Sequence, residues 1–433
     1  MKAVNWERKP LGAVAYLCLG KMLDQNKNRG EPLPYLANVN VRWGEFELSD
    51  LRTMRFEPKE MDRYGLKFGD IVMCEGGEPG RCAIWKDQIP GMMIQKAIHR
   101  IRPKEFLDYR FLFYSFLHLG NSKVFDQYFT GATIKHLPGE KLAKVEVDIP
   151  PLPVQQRIAG ILSAYDELIE NSQRRIKILE SMARALYREW FVHFRFPDHE
   201  HHQRVASPLG EIPRGWEVKK LGEIISAHIG GGWGKDAPDE EHTEPAWVIR
   251  GTDIPEARHS QVGGVPHRIH TASNLRSRRL VAGDIVFEVS GGSKGQPVGR
   301  SLLITSELLA GLGGDVICAS FCKRIQPDIS GYGSELLYLS FLEGYESGEI
   351  EQYQVQSTGI SNFKWTEYIA NTDRVVPPDA LRSEFRGHVA PLFTQVATLG
   401  RKIQNLRRTR DLLLPRLLSG QIDVSNLPEP VPA

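Results

Sequence analysis

The sequence predicts an α+β protein with two tandem segments of mixed α/β structure, separated by two long helices that pair antiparallel with pseudo-two-fold symmetry. Two observations predict this fold. A heptad repeat of apolar residues starts near Ile158 and starts again near Phe385, 227 residues later. The sequence before each heptad carries short strand patterns, and its motifs also occur twice. One module has therefore been duplicated within the chain.

The first segment contains both strand and helix patterns. Residues 144–149 alternate polar and apolar side chains, as a strand with one solvated face does. Residues 108–119 are mostly apolar and aromatic, and Gly120 follows as a helix stop. We therefore expect a short helix within a β-rich segment.

The two heptads predict helices that pack along their length on another helix, because a 3.5-residue apolar period sustained over about five heptads is typical of coiled coils. Ser172 interrupts the first seam and Arg410 the second. Each copy offers the other a partner. The residues expected at the interface are Ile158, Leu162, Tyr165, Ile169, Ile176, Leu179, Leu186, Phe385, Val389, Leu392, Val396, Leu399, Ile403, Leu406 and Leu413.

Short motifs support the duplication. Prolines at positions 150, 151 and 153 precede the first helix, and Pro377 and Pro378 precede the second. Proline disfavours helix in the residue before it, so each group marks a strand end and a helix entry. The sequence Gly-Asp-Ile-Val occurs at 69–72 and at 283–286, and Thr-Gly occurs at 130–131 and at 358–359.

These signals predict the domain boundaries. The chain is divided into a first α/β segment at 1–150, a first helix at 151–196, a linker at 197–210, a second α/β segment at 211–377, a second helix at 378–422 and a tail at 423–433. Forty helical residues would span roughly 60 Å. Antiparallel pairing would place the two α/β segments at opposite ends of that helix pair.

Composition favours a cytoplasmic protein. The net charge of +2 is too balanced to indicate nucleic-acid binding by itself. The 5 cysteines fit a reducing compartment. The sequence has neither a run of about 18 apolar residues nor an apolar signal segment near its first residue, so no membrane association is expected.

Catalytic motifs are missing, and we expect neither catalytic nor metal-binding residues. Adenine methylation needs Asn or Asp before Pro-Pro and an aromatic residue after it, whereas Ile149 and Val376 precede the proline pairs here. The glycine-rich residues 230–235 lack the Ser or Thr that a phosphate loop requires for magnesium. Cys318 and Cys322 have no second ligand pair for a structural zinc site.

The chain resembles the specificity subunits of type I restriction-modification systems. Residues 149–158 read Ile-Pro-Pro-Leu-Pro-Val-Gln-Gln-Arg-Ile, the heptad helix and Trp190-Phe191 follow, and residues 417–422 read Leu-Leu-Ser-Gly-Gln-Ile. The resemblance spans essentially the whole chain. The second copy departs from the pattern, since Asp-Ala-Leu-Arg follows its prolines at 379–382.

The resemblance implies a non-catalytic subunit that recognises a bipartite target in double-stranded DNA. Each α/β segment would be a target-recognition domain, and the helices would set the spacer between the two half-sites. It also implies two methyltransferase subunits and two restriction or translocase subunits as partners. S-adenosylmethionine, ATP and magnesium are expected on those partners, and no cofactor is expected on this chain.

Base reading requires polar side chains on loops that reach a groove, while phosphate contact requires only positive charge or backbone N–H groups. We therefore expect DNA contacts at the Thr-Gly loops and after the Gly-Asp-Ile-Val strands. The candidates are Arg81, Lys86, Thr130, Thr133, Lys135, Lys294, Gln296, Arg300, Ser357, Thr358, Ser361, Asn362 and Lys364. A structural turn that requires glycine explains the Thr-Gly loops equally well. The alternative function is a non-enzymatic scaffold whose two modules bind protein ligands.

Overall fold

The computed structural model describes residues 6–24, 28–291, 297–328, 331–357, 359–425 and 427. The chain divides into two compact units. The first consists of Met1–Leu168 with Leu406–Ala433, and the second consists of Ile169–Asn405. Each unit therefore combines one α/β segment with parts of both long helices.

The first unit opens with short strands and helices that lead into the first long helix. The strands are β1 (Glu7–Pro10), β2 (Ala15–Leu19), β3 (Glu31–Leu36), β4 (Arg52–Phe56), β5 (Ile71–Cys74), β6 (Cys82–Ile84), β7 (Met93–Ile94), β8 (Ile98–Pro103) and β9 (Glu146–Ile149). The helices are α1 (Leu11–Val14), α2 (Met61–Tyr64), α3 (Tyr109–Asn121), α4 (Gly139–Leu142) and α5 (Leu152–Tyr187).

These elements confirm the local predictions for the first segment. The predicted strand at 144–149 is β9, which pairs antiparallel with β1. The predicted helix at 108–119 is α3, but it continues through Gly120 to Asn121, so Gly120 is not the residue that ends it. Its N-terminus is capped by the Asp108 carboxylate, which accepts hydrogen bonds from the backbone N–H groups of Arg110 and Phe111 at 2.8 and 3.1 Å.

Two further sheets hold the first unit together. The four-stranded sheet has the order β2-β8-β5-β6 and the three-stranded sheet has the order β4-β3-β7. Only the β3–β7 pair among these is parallel. One core contains the α3 side chains Phe111 and Phe116, Val147 of β9, and Ile158 and Leu162 of α5.

The second unit repeats this order with longer loops. Its strands are β10 (Arg204–Ser207), β11 (Gly210–Pro213), β12 (Glu217–Lys220), β13 (Ile225–Gly230), β14 (Glu244–Ile249), β15 (His267–His270), β16 (Ile285–Glu288), β17 (Ser290–Gly291), β18 (Ser301–Leu303), β19 (Val316–Cys318), β20 (Cys322–Pro327), β21 (Gln354–Ser357), β22 (Ile360–Phe363) and β23 (Asp373–Val376). Its helices are α6 (Ile254–Ala257), α7 (Ala272–Arg278), α8 (Ser306–Leu312), α9 (Ser334–Glu346), α10 (Trp365–Asn371) and α11 (Asp379–Leu418).

The sheet topologies of the two units correspond. The second unit has a four-stranded sheet β13-β20-β16-β18, a three-stranded sheet β15-β14-β19 and a pair β12-β23. These match β2-β8-β5-β6, β4-β3-β7 and β1-β9 in order and direction. The structure therefore confirms two copies of one mixed α/β fold.

The repeated Gly-Asp-Ile-Val motif has the same structural role in both units. Asp70 accepts a hydrogen bond from the Lys67 N–H at 2.8 Å and both of its oxygens accept from Arg102 of β8 at 2.7 Å. Asp284 accepts from the Val281 N–H and from Arg324 of β20, each at 2.8 Å. The aspartate thus closes the turn into a buried strand and joins that strand to its neighbour.

The long helices run antiparallel in the first unit. Asp166 of α5 pairs with Arg410 of α11, and nearer the start of α5 Arg157 donates to the carbonyl oxygen of Ser425. Leu417 of α11 lies in the same core as Leu162. Residues later in the second helix therefore lie beside residues earlier in the first.

The same direction holds in the second unit. Trp190, in the π-helical turn Arg188–Val192 that follows α5, and Phe191 pack on Phe385 with ring centroids 5.6 and 4.7 Å apart. The beginning of α11 therefore lies beside the end of the first helix. Together with the first unit, this confirms the predicted antiparallel pairing.

The predicted interface residues lie on the protected sides of the two helices. Those that are buried are Ile158, Leu162, Ile169, Ile176, Phe385, Val389, Val396, Leu399 and Ile403. Those that are half-buried are Tyr165, Leu179, Leu186, Leu392, Leu406 and Leu413.

The segment predicted as a linker is more ordered than its composition indicates. Residues 204–213 form the hairpin β10–β11, with all four residues of each strand paired. The Ser207 hydroxyl donates to the Gly210 carbonyl oxygen at 2.6 Å and accepts from the Leu209 N–H at 3.1 Å. These two bonds close a turn that residue composition alone does not distinguish from a flexible loop.

Gly400 marks a close contact between α11 and the α/β segment of the second unit. A Cβ atom at this position would overlap the carbonyl oxygen of His259, in the loop after α6. The adjacent Ser260 carbonyl accepts a hydrogen bond from Gln404 at 2.9 Å, and His259 bonds to Glu180 of α5 at 3.1 Å. This loop therefore rests on both helices.

We predict opposite effects for two glycine substitutions in α11. Gly400→Ala should lower the free energy of unfolding by about 1–3 kcal/mol, because the added methyl group overpacks a backbone contact. Gly387→Ala is the matched control: an added Cβ meets no atom within 4 Å there, so it should stabilise the helix by about 0.5–1 kcal/mol. Urea unfolding midpoints measure both. An equal or higher midpoint for Gly400→Ala would contradict the contact.

Candidate nucleic-acid interface

The Thr-Gly loop of the first unit is a small closed hairpin. The backbone groups of Thr130 and His136 exchange two hydrogen bonds of 2.8 Å. Gly131 has φ +92°, and a Cβ atom there would overlap the Ile134 carbonyl oxygen. Both features require glycine at this position, so the loop has a defined shape. The five residues 131–135 between the paired positions are exposed.

This hairpin lies against the loop that follows β5, so the structure brings the two predicted candidate regions of the first unit together. Gly76 forms a β-bridge with His136, and the Leu137 N–H donates to the Glu75 carbonyl oxygen at 2.8 Å. Thr130, Thr133 and Lys135 are therefore on one surface feature. Lys135 lies 3.7 Å from Asp126 and 5.7 Å from the centre of the Phe129 ring.

Arg81 and Lys86 have different surroundings. The Arg81 side chain is 13% exposed, pairs with Glu78 at 2.8 Å and donates to the Asn38 carbonyl oxygen at 3.1 Å. It therefore braces the loop after β5. Lys86 is exposed after β6 and lies near Tyr109. Burial raises the pKa of the Tyr109 phenol, and the positive charges of Arg110 and Lys86 partly oppose this rise.

The second unit forms the corresponding feature as a three-stranded sheet, β17-β22-β21. Ser290 and Gly291, after the second Gly-Asp-Ile-Val strand, pair with Asn362 and Ser361. The Ser290 hydroxyl donates to Oδ1 of Asn362 at 2.7 Å. This bond holds the amide oxygen of Asn362 against Ser290. The amide nitrogen is then the group of Asn362 that remains to donate to a base edge.

Lys364 lies just beyond β22. Its side chain is 45% exposed, its ammonium group lies 3.1 Å from the Glu367 carboxylate, and its backbone N–H donates to the Tyr353 carbonyl oxygen at 2.8 Å. The lysine is thus fixed at the base of the hairpin while its side chain reaches solvent. Lys294, Gln296 and Thr358 lie outside the described residues, as does the side chain of Ser357.

Arg300 lies in a protected ion pair. Its guanidinium donates to both oxygens of Glu288 at 2.8 and 2.6 Å, and the two side chains are 13% and 2% exposed. The pair raises the pKa of Arg300. Glu288 ends β16, so this contact connects the central strand to the segment that leads into β18.

Sequence reasoning did not single out three residues of these features. Ser290 positions Asn362, while Ile134 and Ile360 are exposed aliphatic side chains near the hairpin tips, 67% and 42% accessible. The available signal was an isoleucine within each Thr-Gly loop, followed by a polar residue. The partnership of Ser290 with Asn362 has no local signal, because 72 positions separate them.

Over the described ranges, no group of three or more His, Cys, Asp or Glu side chains has a metal-binding arrangement. No helix in the described part of the chain combines the length and hydropathy needed to cross a membrane.

Comparisons with known proteins find similar chains of one kind. A family model described as the type I restriction modification DNA specificity domain matches residues 3–181. The type I restriction enzyme MjaIX specificity subunit of Methanocaldococcus jannaschii is 28% identical over 366 residues, which is 83% of this chain and 79% of that protein. The type I restriction enzyme HindI specificity subunit of Haemophilus influenzae is 22% identical over 351 residues, covering 67% of this chain and 72% of the relative.

A solved structure supports the fold independently. The S subunit of a type I restriction-modification system from M. genitalium aligns with a TM-score of 0.56 and 16% identity, over 96% of each chain. Over most of its length the chain is similar to the specificity subunits of type I restriction-modification systems, and its residues 3–181 match the DNA specificity domain of that family.

We predict that Lys364→Ala weakens DNA binding by the assembled complex, because it removes a positive charge that we expect to contact a phosphate. The slope of log affinity against log salt concentration should fall by about 1. Lys219→Ala is the control, since Lys219 is a similarly exposed lysine of the same unit, paired with Glu217 at 2.9 Å. The measurement is the affinity of each complex for a cognate duplex at matched salt concentration. Subunit assembly is checked separately. Equal affinity for the Lys364→Ala and wild-type complexes would count against a phosphate contact.

Arg300→Ala has a different expected effect. Removing the guanidinium leaves the Glu288 carboxylate buried without its ion-pair partner, which typically costs about 3–5 kcal/mol. We therefore expect a lower urea unfolding midpoint for Arg300→Ala and a smaller loss for the double variant Arg300→Met/Glu288→Gln. Undiminished stability together with weakened DNA binding would instead assign Arg300 to the DNA contact.

Proposed function

We propose that this chain is the non-catalytic DNA-recognition subunit of a type I restriction-modification complex. It recognises a bipartite sequence in double-stranded DNA and directs adenine methylation or cleavage by partner subunits. The observation that carries the proposal is the duplicated site. Each unit presents a hairpin next to the loop after its Gly-Asp-Ile-Val strand, with hydroxyl, amide or lysine side chains exposed on it.

The hairpins suit base reading on chemical grounds. A two-stranded ribbon fits the major groove, where each base pair presents a distinct pattern of donors, acceptors and methyl groups. Asn362 offers amide donors in the second unit, and Thr133 offers a hydroxyl in the first. Lys135 and Lys364 supply positive charge for phosphate contacts, which position a protein without reading sequence.

The catalytic functions belong to partner subunits in this proposal. Two methyltransferase subunits bind S-adenosylmethionine and modify adenine, and two restriction or translocase subunits use ATP and magnesium. The names of the relatives support this assignment, because each is a specificity subunit of a type I restriction enzyme. The modest net charge of +2 agrees with partner subunits that neutralise part of the phosphate charge.

The alternative is a scaffold whose two units bind protein ligands. It predicts binding that changes little with salt, whereas a DNA complex should weaken steeply as salt rises. The match of residues 3–181 to a DNA specificity domain favours DNA as the ligand.

A methylation map tests the proposal. Cells that express the chain with its cognate methyltransferase subunits should carry methylated adenine within one bipartite motif, two short defined sequences separated by unspecified bases. Cells that express the methyltransferase subunits alone should lack the motif. Methylation at a single undivided sequence, or none that depends on this chain, would favour the scaffold.

A further inference from the structure

The two hairpins share a feature that hydrogen bonding to DNA does not explain. Each exposes a β-branched aliphatic side chain near its tip: Ile134 is 67% accessible in the first unit and Ile360 is 42% accessible in the second. A single exposed apolar residue is ordinary on a protein surface. The same side chain at corresponding loops of two diverged copies is a more specific observation.

The geometry of the first hairpin holds Ile134 at the surface. The two hydrogen bonds between Thr130 and His136 close the loop, and the Ile134 carbonyl oxygen occupies the space that a side chain on Gly131 would need. Lys135, the next residue, lies near Asp126 and the Phe129 ring. Ile134 is therefore the large apolar group that the loop presents to a ligand.

In the second hairpin, strand pairing places Ile360 with polar recognition groups. Val355 pairs with Asn362, and Ile360 lies two positions before Asn362 on the same strand, so these three side chains share one face of the ribbon. Val355 is also 43% accessible. The face thus combines aliphatic groups with the amide of Asn362.

Thymine is the base that suits an aliphatic contact in the major groove, because its C5-methyl group is the apolar feature exposed there. We infer that Ile134 and Ile360 each cover a thymine methyl group in one half of the DNA target, and so help to determine which base is accepted. The inference rests on the proposed DNA-recognition function. An isolated isoleucine on a narrow hairpin matches one methyl group, whereas a stable protein interface buries about 800 Å² per partner.

The test uses the full chain assembled with its methyltransferase subunits. The probe is a duplex that carries the mapped target, in which each thymine is replaced in turn by deoxyuridine, which lacks only the methyl group. For the wild-type complex, one substitution in the half-site read by the first unit should weaken binding about fourfold, the value for burying one methyl-sized group.

Ile134→Ser should remove this discrimination. The variant should bind the thymine duplex at least fourfold more weakly than wild type, and replacing the critical thymine should have no further effect. Ile134→Val should retain part of the discrimination. Leu209→Ser, which shortens a 47% accessible side chain in the β10–β11 turn, should bind like wild type. Ile360→Ser should act in the same way on the other half-site.

The outcomes separate this inference from the proposed function. If the complex recognises a bipartite target but Ile134→Ser keeps the full deoxyuridine effect, the inference is wrong and the function stands. A wild-type complex that responds to no deoxyuridine in that half-site also overturns it. If the complex has no sequence preference at all, the proposed function itself fails.

Discussion

The structure depends on the burial of two long apolar seams. Neither long helix can cover its own seam, and each unit solves the problem with one end of the first helix, the opposite end of the second and an α/β segment. In the first unit Ile158 and Leu417 share a core with Phe116 of α3, and in the second Phe385 and Val389 share a core with Trp216 and Phe341. Each α/β segment is therefore part of the core that buries the helix ends.

The interruptions of the seams are part of this arrangement. Arg410 pairs with Asp166, and the Tyr114 hydroxyl donates to the same carboxylate at 2.6 Å. Burial and then the Asp166 charge raise the pKa of Tyr114 well above its usual value, so the phenol stays a donor at physiological pH. One polar network thus joins α3 to both helices. Ser172, the other interruption, is buried at 3% exposure.

Local sequence predicted the parts of the fold that have a strong period or a repeated motif. The heptads predicted both helices, and the repeated Gly-Asp-Ile-Val predicted equivalent strands. The function of its aspartate required the structure, because Asp70 and Arg102 lie 32 positions apart. For the same reason Arg300 could not be separated from the exposed candidates, since its partner Glu288 is identified only by strand packing. The hairpin within 204–213 forms through pairing that composition does not encode.

The central claim is that each unit reads its own DNA half-site. A direct test replaces three polar residues of the second hairpin and its base, with Ser361→Ala, Asn362→Ala and Lys364→Ala combined, and maps methylated adenines in cells that also contain the wild-type methyltransferase subunits. We expect one half of the bipartite motif to become less specific while the other half is unchanged. Loss of specificity in both halves together, or an unchanged motif, would contradict it.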